Sequence, residues 1–367
     1  MRILVLNPGS STLKASRIVD GDIHGEPTTV EWPTGEAEAD DVVRRALDDL
    51  GEADSDAVGY RVVHGGDAYR SASIVEDALL AKVEALDALA PLHNRRAAAV
   101  MRAGLARLPS LAHVACFDTA FHASLPEEAW RYPLPAEWTE PRAIRRYGFH
   151  GLSVAWSVAR AGELLGRPTD ALRLVVAHLG SGCSVTAVDG GRSVDTSMGY
   201  TPFEGLMMGT RSGSIDPGIL LGLADDGVSP ADLADGLAHR SGLLAIGGAA
   251  DIRELEDRSD TGDAAATLAL GMFERRAASA IAAAATTLPS LDAVVFTGGI
   301  GEHAARTRGR IVRRLAVIGV RHASADIDGD AVLDPGPPAV LAVAAREDLV
   351  IAREVTRLLR DQRPRGR

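Results

Sequence analysis

Four groups of residues in this sequence have the types and spacing to handle a phosphate. The turn Asn7-Pro8-Gly9-Ser10-Ser11-Thr12-Leu13-Lys14 offers a glycine, three hydroxyls and a lysine. Glycine lets the backbone approach an anion, and the lysine adds charge. The spacing is not that of a Walker A loop, and by itself a surface turn with a solvated lysine is the simpler reading. The segment Phe296-Thr297-Gly298-Gly299-Ile300-Gly301-Glu302 closes a strand-like run. A strand that ends in a glycine loop before a helix presents backbone amides to a nucleotide. Two arginines, Arg61 and Arg211, sit among apolar or small residues. Each must find an anion there, either a ligand or a structural aspartate, because burying an unpaired guanidinium is costly. Asp118 follows the apolar run ending at Phe117, where a carboxylate can anchor magnesium. His150 stands in Tyr147-Gly148-Phe149-His150-Gly151. The ten histidines include no HExxH and no paired metal spacing. Amides, cations, a magnesium anchor and little else are what phosphoryl transfer asks of a protein.

Elements that could hold these groups are legible around them. Ile3 to Leu6 reads as a buried strand, followed by the glycine turn and a second extended run from Leu13 to Val19. The same unit returns between Leu174 and Gly191, with His178-Leu179-Gly180-Ser181 in the place of Asn7-Pro8-Gly9-Ser10. The repeat suggests two halves that each open with strand, glycine turn and strand, although Gly-Ser hairpins are common enough for coincidence. Further buried strands are expected at Ala57 to Val63, His113 to Phe117 and Asp292 to Phe296. A long alanine-rich helix is expected from Asp263 to Thr287. A last helix carries Ile351, Val355 and Leu358 on one face, with a frayed tail from Asp361 to Arg367. Strands that alternate with helical stretches indicate an α/β protein.

Composition narrows the class. The 367 residues suggest two domains, and 46% hydrophobic with 24% charged residues is ordinary globular composition. A net charge of −11 argues against nucleic acid and anionic membrane as partners. Cys116 and Cys183 form no CxxC pair, so neither a disulfide framework nor a zinc knuckle is expected. The N-terminal residues lack a signal-peptide pattern, and the alanine run Ala277 to Thr286 is too short to cross a bilayer. A soluble, cytoplasmic protein is expected.

Taken together and in order, the segments NPGSSTLK, GYRVVHGG, PLHN, CFDTAFH, RRYGFHG, AHLGSG, DTSMGYTPFEGLMMGTRSGSIDP, FTGGIGE and REDLVIAREV resemble the acetate kinase family. That family lies within the acetate and sugar kinase, heat-shock-70 and actin superfamily. The resemblance covers nearly the whole chain, and the long DTSMGYTPFEGLMMGTRSGSIDP stretch is its most specific part. It implies two actin-like (ribonuclease H-like) α/β domains with a duplicated βββαβαβα core. The first would comprise residues 1–120 plus 346–367, the second residues 121–345. It implies a homodimer and a phosphotransferase with a carboxyl acceptor, turning ATP and acetate into ADP and acetyl phosphate. Mg2+ would be the metal, with Mn2+ as the alternative.

By the same resemblance Arg61 and Arg211 would hold the carboxylate and the moving phosphoryl group, and His150 would hydrogen-bond that group. Asp118 would position the acceptor or magnesium, with Glu347 and Asn7 as metal anchors. Ser10, Thr12 and Lys14 would line the phosphate path, and His93 and His178 would support the site. Val63, Leu92, Phe149 and Pro202 would form the acyl pocket. Gly180, Ser181, Gly182, Asp251, Ile252, Arg253, Gly299, Ile300, Gly301 and Glu302 would contact the nucleotide. The sequence departs from the family pattern at several points. Thr12 and Ser181 stand where serine and asparagine are usual, Val154 where a second histidine is usual, and Ala250 and Arg346 where asparagine is usual. These changes bear on nucleotide affinity and rate more than on reaction type. A propionate kinase of the same family is the nearest alternative. A sugar kinase, which would need an aspartate base, and an actin-like ATPase module without an acceptor pocket are the rivals from other classes.

Overall fold

The computed structural model describes the chain except for residues 10, 33–37, 52–53, 88, 91–92, 322–328 and 363–367. It divides into two compact units, Met1–Ala123 with Phe149–Leu152 and Arg346–Arg367, and Ser124–Gly148 with Ser153–Ala345.

The first unit is built on a mixed sheet of β1 (Arg2–Pro8), β2 (Thr12–Val19), β3 (Asp22–Ile23), β4 (Thr28–Glu31), β5 (Ala57–Val62), β6 (Ser73–Ile74) and β7 (Ala112–Phe117). The order is β3-β2-β1-β5-β7-β6, with β4 on the outer edge of β2. The glycine turn after β1 folds β2 back antiparallel, and it is closed by the Gly9 amide donating to the Thr12 carbonyl at 2.7 Å. β1, β5 and β7 run parallel in the middle. Ile3 to Leu6 are buried on both faces, which is why they read as a continuous apolar run rather than an alternating one.

A helix from the other end of the chain, Glu347–Asp361, closes one face of this sheet. Ile351 and Val355 seat on β5 at Gly59, where a Cβ would lie 2.5 Å from the Ile351 Cγ2. Only glycine permits that approach. The helix starts four residues earlier than its apolar stripe begins in the sequence, and it includes Asp361.

The second unit has β8 (Arg173–Leu179), β9 (Cys183–Asp189), β10 (Arg192–Thr196), β11 (Ala293–Thr297), β12 (Ala331–Asp334) and β13 (Ala339–Ala342). Their order is β10-β9-β8-β11-β13-β12, with β8, β11 and β13 parallel. Its principal helix is Ala264–Ala285, capped by the Asp263 carboxylate, which accepts from the amides of Ala265 and Ala266. Ala266, Ala269, Leu270, Phe273, Ala277 and Ile281 form its buried stripe.

The two sheets are topological copies. In each, a first strand pairs antiparallel with the second and parallel with the first strand that follows the intervening helical segment, and the edge strand beyond the parallel trio is antiparallel. Asn7 and His178 occupy the same position, one residue before the end of their strands. The repeated glycine turn is therefore a true duplication of a βββαβαβα core.

Candidate active site

In open α/β sheets, ligands gather beyond the carboxyl ends of the parallel strands. In the first unit that end carries Asn7 from β1, Arg61 from β5 and Asp118 directly after β7. Strand periodicity accounts for Arg61. It lies two residues beyond Gly59 and so shares the face that Ile351 covers. Glu347 is one helical turn before Ile351 on the same stripe. Two residues along a strand and four along a helix are each about 6 Å, so Glu347 arrives over Arg61.

The resulting contacts form one network. The Arg61 Nε and Nη2 donate to the two Asp118 carboxylate oxygens at 3.0 and 2.7 Å. Its Nη1 lies 3.0 Å from the Glu347 carboxylate and 3.4 Å from the Asn7 side-chain oxygen. The Asn7 amide donates to Glu347 at 2.9 Å. Asp118 is fully buried. Removal from water pushes its carboxyl up, while the Arg61 guanidinium and the His150 backbone N–H pull it back. Two carboxylates face one guanidinium, so an excess of negative charge remains. Arg346 does not cancel it, because its guanidinium is held by Asp348 through two bonds of 3.1 Å.

That donor set suits a hard cation. It comprises carboxylate and amide oxygens, and among the described residues no cluster of three or more His, Cys, Asp or Glu forms a metal cage. Mg2+ is characteristically bound by one or two carboxylates together with substrate phosphates and water.

His150 is held beside Asp118 in a left-handed conformation, φ +58°. Its own N–H reaches the Asp118 carboxylate, and the next amide, Gly151, donates to the Asp118 carbonyl at 2.9 Å. A Cβ on Gly151 would collide with that carbonyl. Val63 and Phe149 are buried nearby in chain order, and the Phe149 ring meets His64 edge-on at 5.3 Å. His93 precedes the helix Asn94–Arg107. Lys14 is exposed on β2, opposite Asn7 in the register, and Thr12 closes the turn. Ser10 and Leu92 lie outside the described residues.

In the second unit the loops after β8 and β11 are neighbours because those strands pair directly. Gly180 donates to the Gly182 carbonyl at 3.0 Å, which leaves Ser181 exposed at the tip. β11 runs straight into the helix Gly298–His303, so Gly298 to Gly301 are its first turns rather than a free loop. Gly298 has φ +76°, and a Cβ there would sit 3.1 Å from the His178 Nε2. The His178 ring, bonded through Nδ1 to the Ser153 hydroxyl at 2.9 Å, thus lies against the start of that helix.

Arg211 belongs to the same unit. Its Nη1 donates to the Pro202 carbonyl at 3.1 Å. No carboxylate ion pair engages it among the described residues. Burial pushes its guanidinium below the usual arginine range, and the titratable group beside it is the Cys183 thiol. Burial in turn pushes that thiol up to about 12. A half-buried guanidinium with no carboxylate is a seat for an incoming anion.

The other nucleotide candidates divide. Asp251 caps the helix Ile252–Asp260 by accepting from the Arg253 amide at 2.8 Å, and it also pairs with the Arg253 guanidinium at 2.6 Å. Ile252 is buried in the core. Glu302 accepts from the Ala345 amide at 3.0 Å, while Gly299 and Ile300 keep surface.

Several supporting residues escaped sequence reasoning. Thr119 accepts from the Gly65 amide at 3.2 Å. Ser153 orients His178. Buried Arg308 donates to the carbonyls of Gly301 and Glu302 at 2.7 and 3.0 Å. His122 accompanies Phe149. His122 was visible in the motif CFDTAFH, whereas Ser153 and Arg308 gave no signal.

A family model described as the acetokinase family matches residues 34–353. A protein named acetate kinase from Deinococcus radiodurans is 42% identical over 388 residues, covering 96% of this chain and 97% of its own. The crystal structure of Porphyromonas gingivalis acetate kinase superposes with a TM-score of 0.87 at 34% identity, over 98% of this chain and 99% of that one. A propionate kinase from Francisella tularensis gives 0.82 at 34% identity, over 96% and 98%.

Proposed function

This chain belongs to the acetokinase family, and we propose that it is an acetate kinase, transferring the γ-phosphoryl group of ATP reversibly and directly to a carboxylate oxygen of acetate. The observation that carries this reading is Arg211, a half-buried guanidinium that no carboxylate of the described chain neutralises. A sugar kinase would need a free aspartate base, and Asp118 is held at both oxygens by Arg61. A carboxylate acceptor needs no base, because it is already ionised at neutral pH.

The division of labour is then as follows. Acetate attacks the γ-phosphorus in line, and ADP leaves with the electron pair of the broken P–O bond. Arg211 and Arg61 orient the acceptor and the moving group, and the His150 imidazole hydrogen-bonds that group as its charge spreads. Mg2+ would be held by Glu347, Asn7 and the charge of Asp118, and when bound it supplies neutralisation of phosphate charge. The glycine turn at Gly180–Gly182 and the helix start at Gly299–Gly301, with Lys14 and Thr12 in the first unit, are proposed to offer amides, hydroxyls and charge to the phosphates. Asp251 and Arg253 are proposed to meet the nucleoside. Catalysis rests on positioning and charge stabilisation.

Val63 and Phe149, both buried in the first unit, are proposed to form an apolar pocket for the acyl methyl. One methylene in such a pocket is worth about 1–3 kcal/mol, so propionate is the natural competitor. Comparing kcat/KM for acetate, propionate and butyrate tests the assignment. Acetate is expected to be the best of the three, and a preference for propionate above about tenfold would overturn it.

A homodimer fits the helix Pro217–Asp225, whose Ile219, Leu221 and Leu223 are 52%, 69% and 40% exposed. So apolar a helix is normally covered. Sedimentation of a monomer at micromolar concentration would contradict it. No helix among the described residues is long and apolar enough to cross a membrane, and ATP as substrate fits the cytoplasm.

A further inference from the structure

His122 is 1% exposed in the first unit, and no role in the reaction has been given to it above. Its Nε2 lies 2.9 Å from the Phe149 carbonyl. A carbonyl only accepts, so Nε2 carries the proton and donates. Burial pushes the ring down to about 4, so it is neutral and in that one tautomer across the neutral range. The three consecutive residues Phe149, His150 and Gly151 are therefore each pinned. His122 holds the Phe149 carbonyl, the Asp118 carboxylate holds the His150 amide, and the Asp118 carbonyl holds the Gly151 amide.

The middle residue needs such holding. A non-glycine residue at φ +58° carries about 1–3 kcal/mol of strain and persists only where its surroundings over-determine it. Two of the three ties come from Asp118 and act on the amides. His122 holds the carbonyl edge of the Phe149–His150 peptide, whose N–H edge the Asp118 carboxylate holds, so the plane that leads into His150 is fixed from both sides. Without His122 that peptide keeps one of these two ties and can tilt toward an ordinary conformation, and the imidazole would swing with it. His122 comes from the 3-10 turn Ala120–Ser124 that follows Asp118. One short segment thus anchors both ends of the strained loop.

We propose that His122 is a positioning residue for phosphoryl transfer, its Nε2–H fixing the Phe149 carbonyl and so the direction of the His150 imidazole. This rests on the reading of His150 as the group that binds the moving phosphoryl. A displacement of about 1 Å in such a group can lower a rate a hundredfold.

The test compares His122→Gln, whose side-chain amide nitrogen reaches where Nε2 stood, with His122→Asn, whose amide cannot. His122→Asn is expected to lower kcat at least about tenfold with KM for acetate and ATP within about twofold, and His122→Gln to stay within about threefold of the parent. In a His150→Ala background, His122→Asn is expected to change kcat by less than about twofold, because the group it positions is gone. Equal kcat for the two His122 variants would overturn the proposal, as would an undiminished His122→Asn loss in the His150→Ala background. Near-normal kcat for His150→Ala alone would overturn the reading of His150 as well. A crippled His150→Ala beside an unaffected His122→Asn would overturn this inference only. Nitrogen-15 spectra of the histidine-labelled parent protein give a check that needs no variant. The proposal requires the Nε2–H tautomer at pH 7, and a protonated or Nδ1–H His122 would overturn it.

Discussion

Arg61 and Arg211 look alike in the sequence, each an arginine among glycines and apolar residues, yet their surroundings are opposite. Arg61 is spanned by Asp118 and Glu347, whereas Arg211 donates to the Pro202 carbonyl and meets no carboxylate among the described residues. Their alanine variants should therefore fail differently. Arg61→Ala leaves two carboxylates, one of them fully buried, without their cation. A broken buried pair of this kind costs about 3–5 kcal/mol, so the variant should melt earlier as well as turn over slowly. Arg211→Ala strands no partner charge. It is expected to keep the parent's melting midpoint within a few degrees while losing at least about a hundredfold in kcat. Thermal melts and steady-state kinetics on the two purified variants check this. An Arg211→Ala enzyme with near-normal turnover would remove it from the site. The sequence carried the position of both arginines through their motifs, but it held no information on which one an aspartate had already claimed. That depends on strand register and on a helix more than two hundred residues away.

At the level of elements, the β5 strand and the closing helix position the cluster jointly, and Gly59 is the point of contact. A Cβ there would press on Ile351 and Val355 at 2.5 and 2.9 Å. Gly59→Ala is expected to destabilise the protein by about 1–3 kcal/mol through overpacking. Because Glu347 rides on the same helix, the apparent Mg2+ requirement should also rise. Ile351→Ala in the same chain should recover part of both losses. A Gly59→Ala protein with parental stability and metal dependence would show that the helix is not what sets Glu347. The seven expected strands all appear; those buried on both faces, such as Ile3–Leu6 and Ala293–Thr297, read as continuous apolar runs, whereas β2 alternates because one face is partly exposed. The short edge strands β3, β6 and β12 were not legible, being two to four residues long and only partly buried. The glycines after β11 read as a loop, yet they open a helix, because glycine at positive φ lets the strand turn directly into it.

For the whole molecule, the duplicated topology explains why the chemistry-bearing residues recur at matched places. Asn7 and His178 stand one residue from the ends of equivalent strands, and a glycine turn follows each. The copies have diverged in use. The first carries the carboxylate–guanidinium cluster and the second carries the Gly180–Gly182 turn, the glycine-rich helix start at Gly298 and Arg211. Only a long ordered set of motifs could reveal this division, since each half of it has an ordinary structural explanation alone. The central claim is that ATP turnover in this chain is transfer to a carboxylate and not hydrolysis. The most direct measurement incubates the purified protein with Mg-ATP, with and without acetate, while trapping acyl phosphate as the hydroxamate and following ADP. The account predicts hydroxamate and ADP in equal amounts with acetate, and negligible ADP without it. ADP released at the same rate without a carboxylate, or no hydroxamate with one, would contradict it.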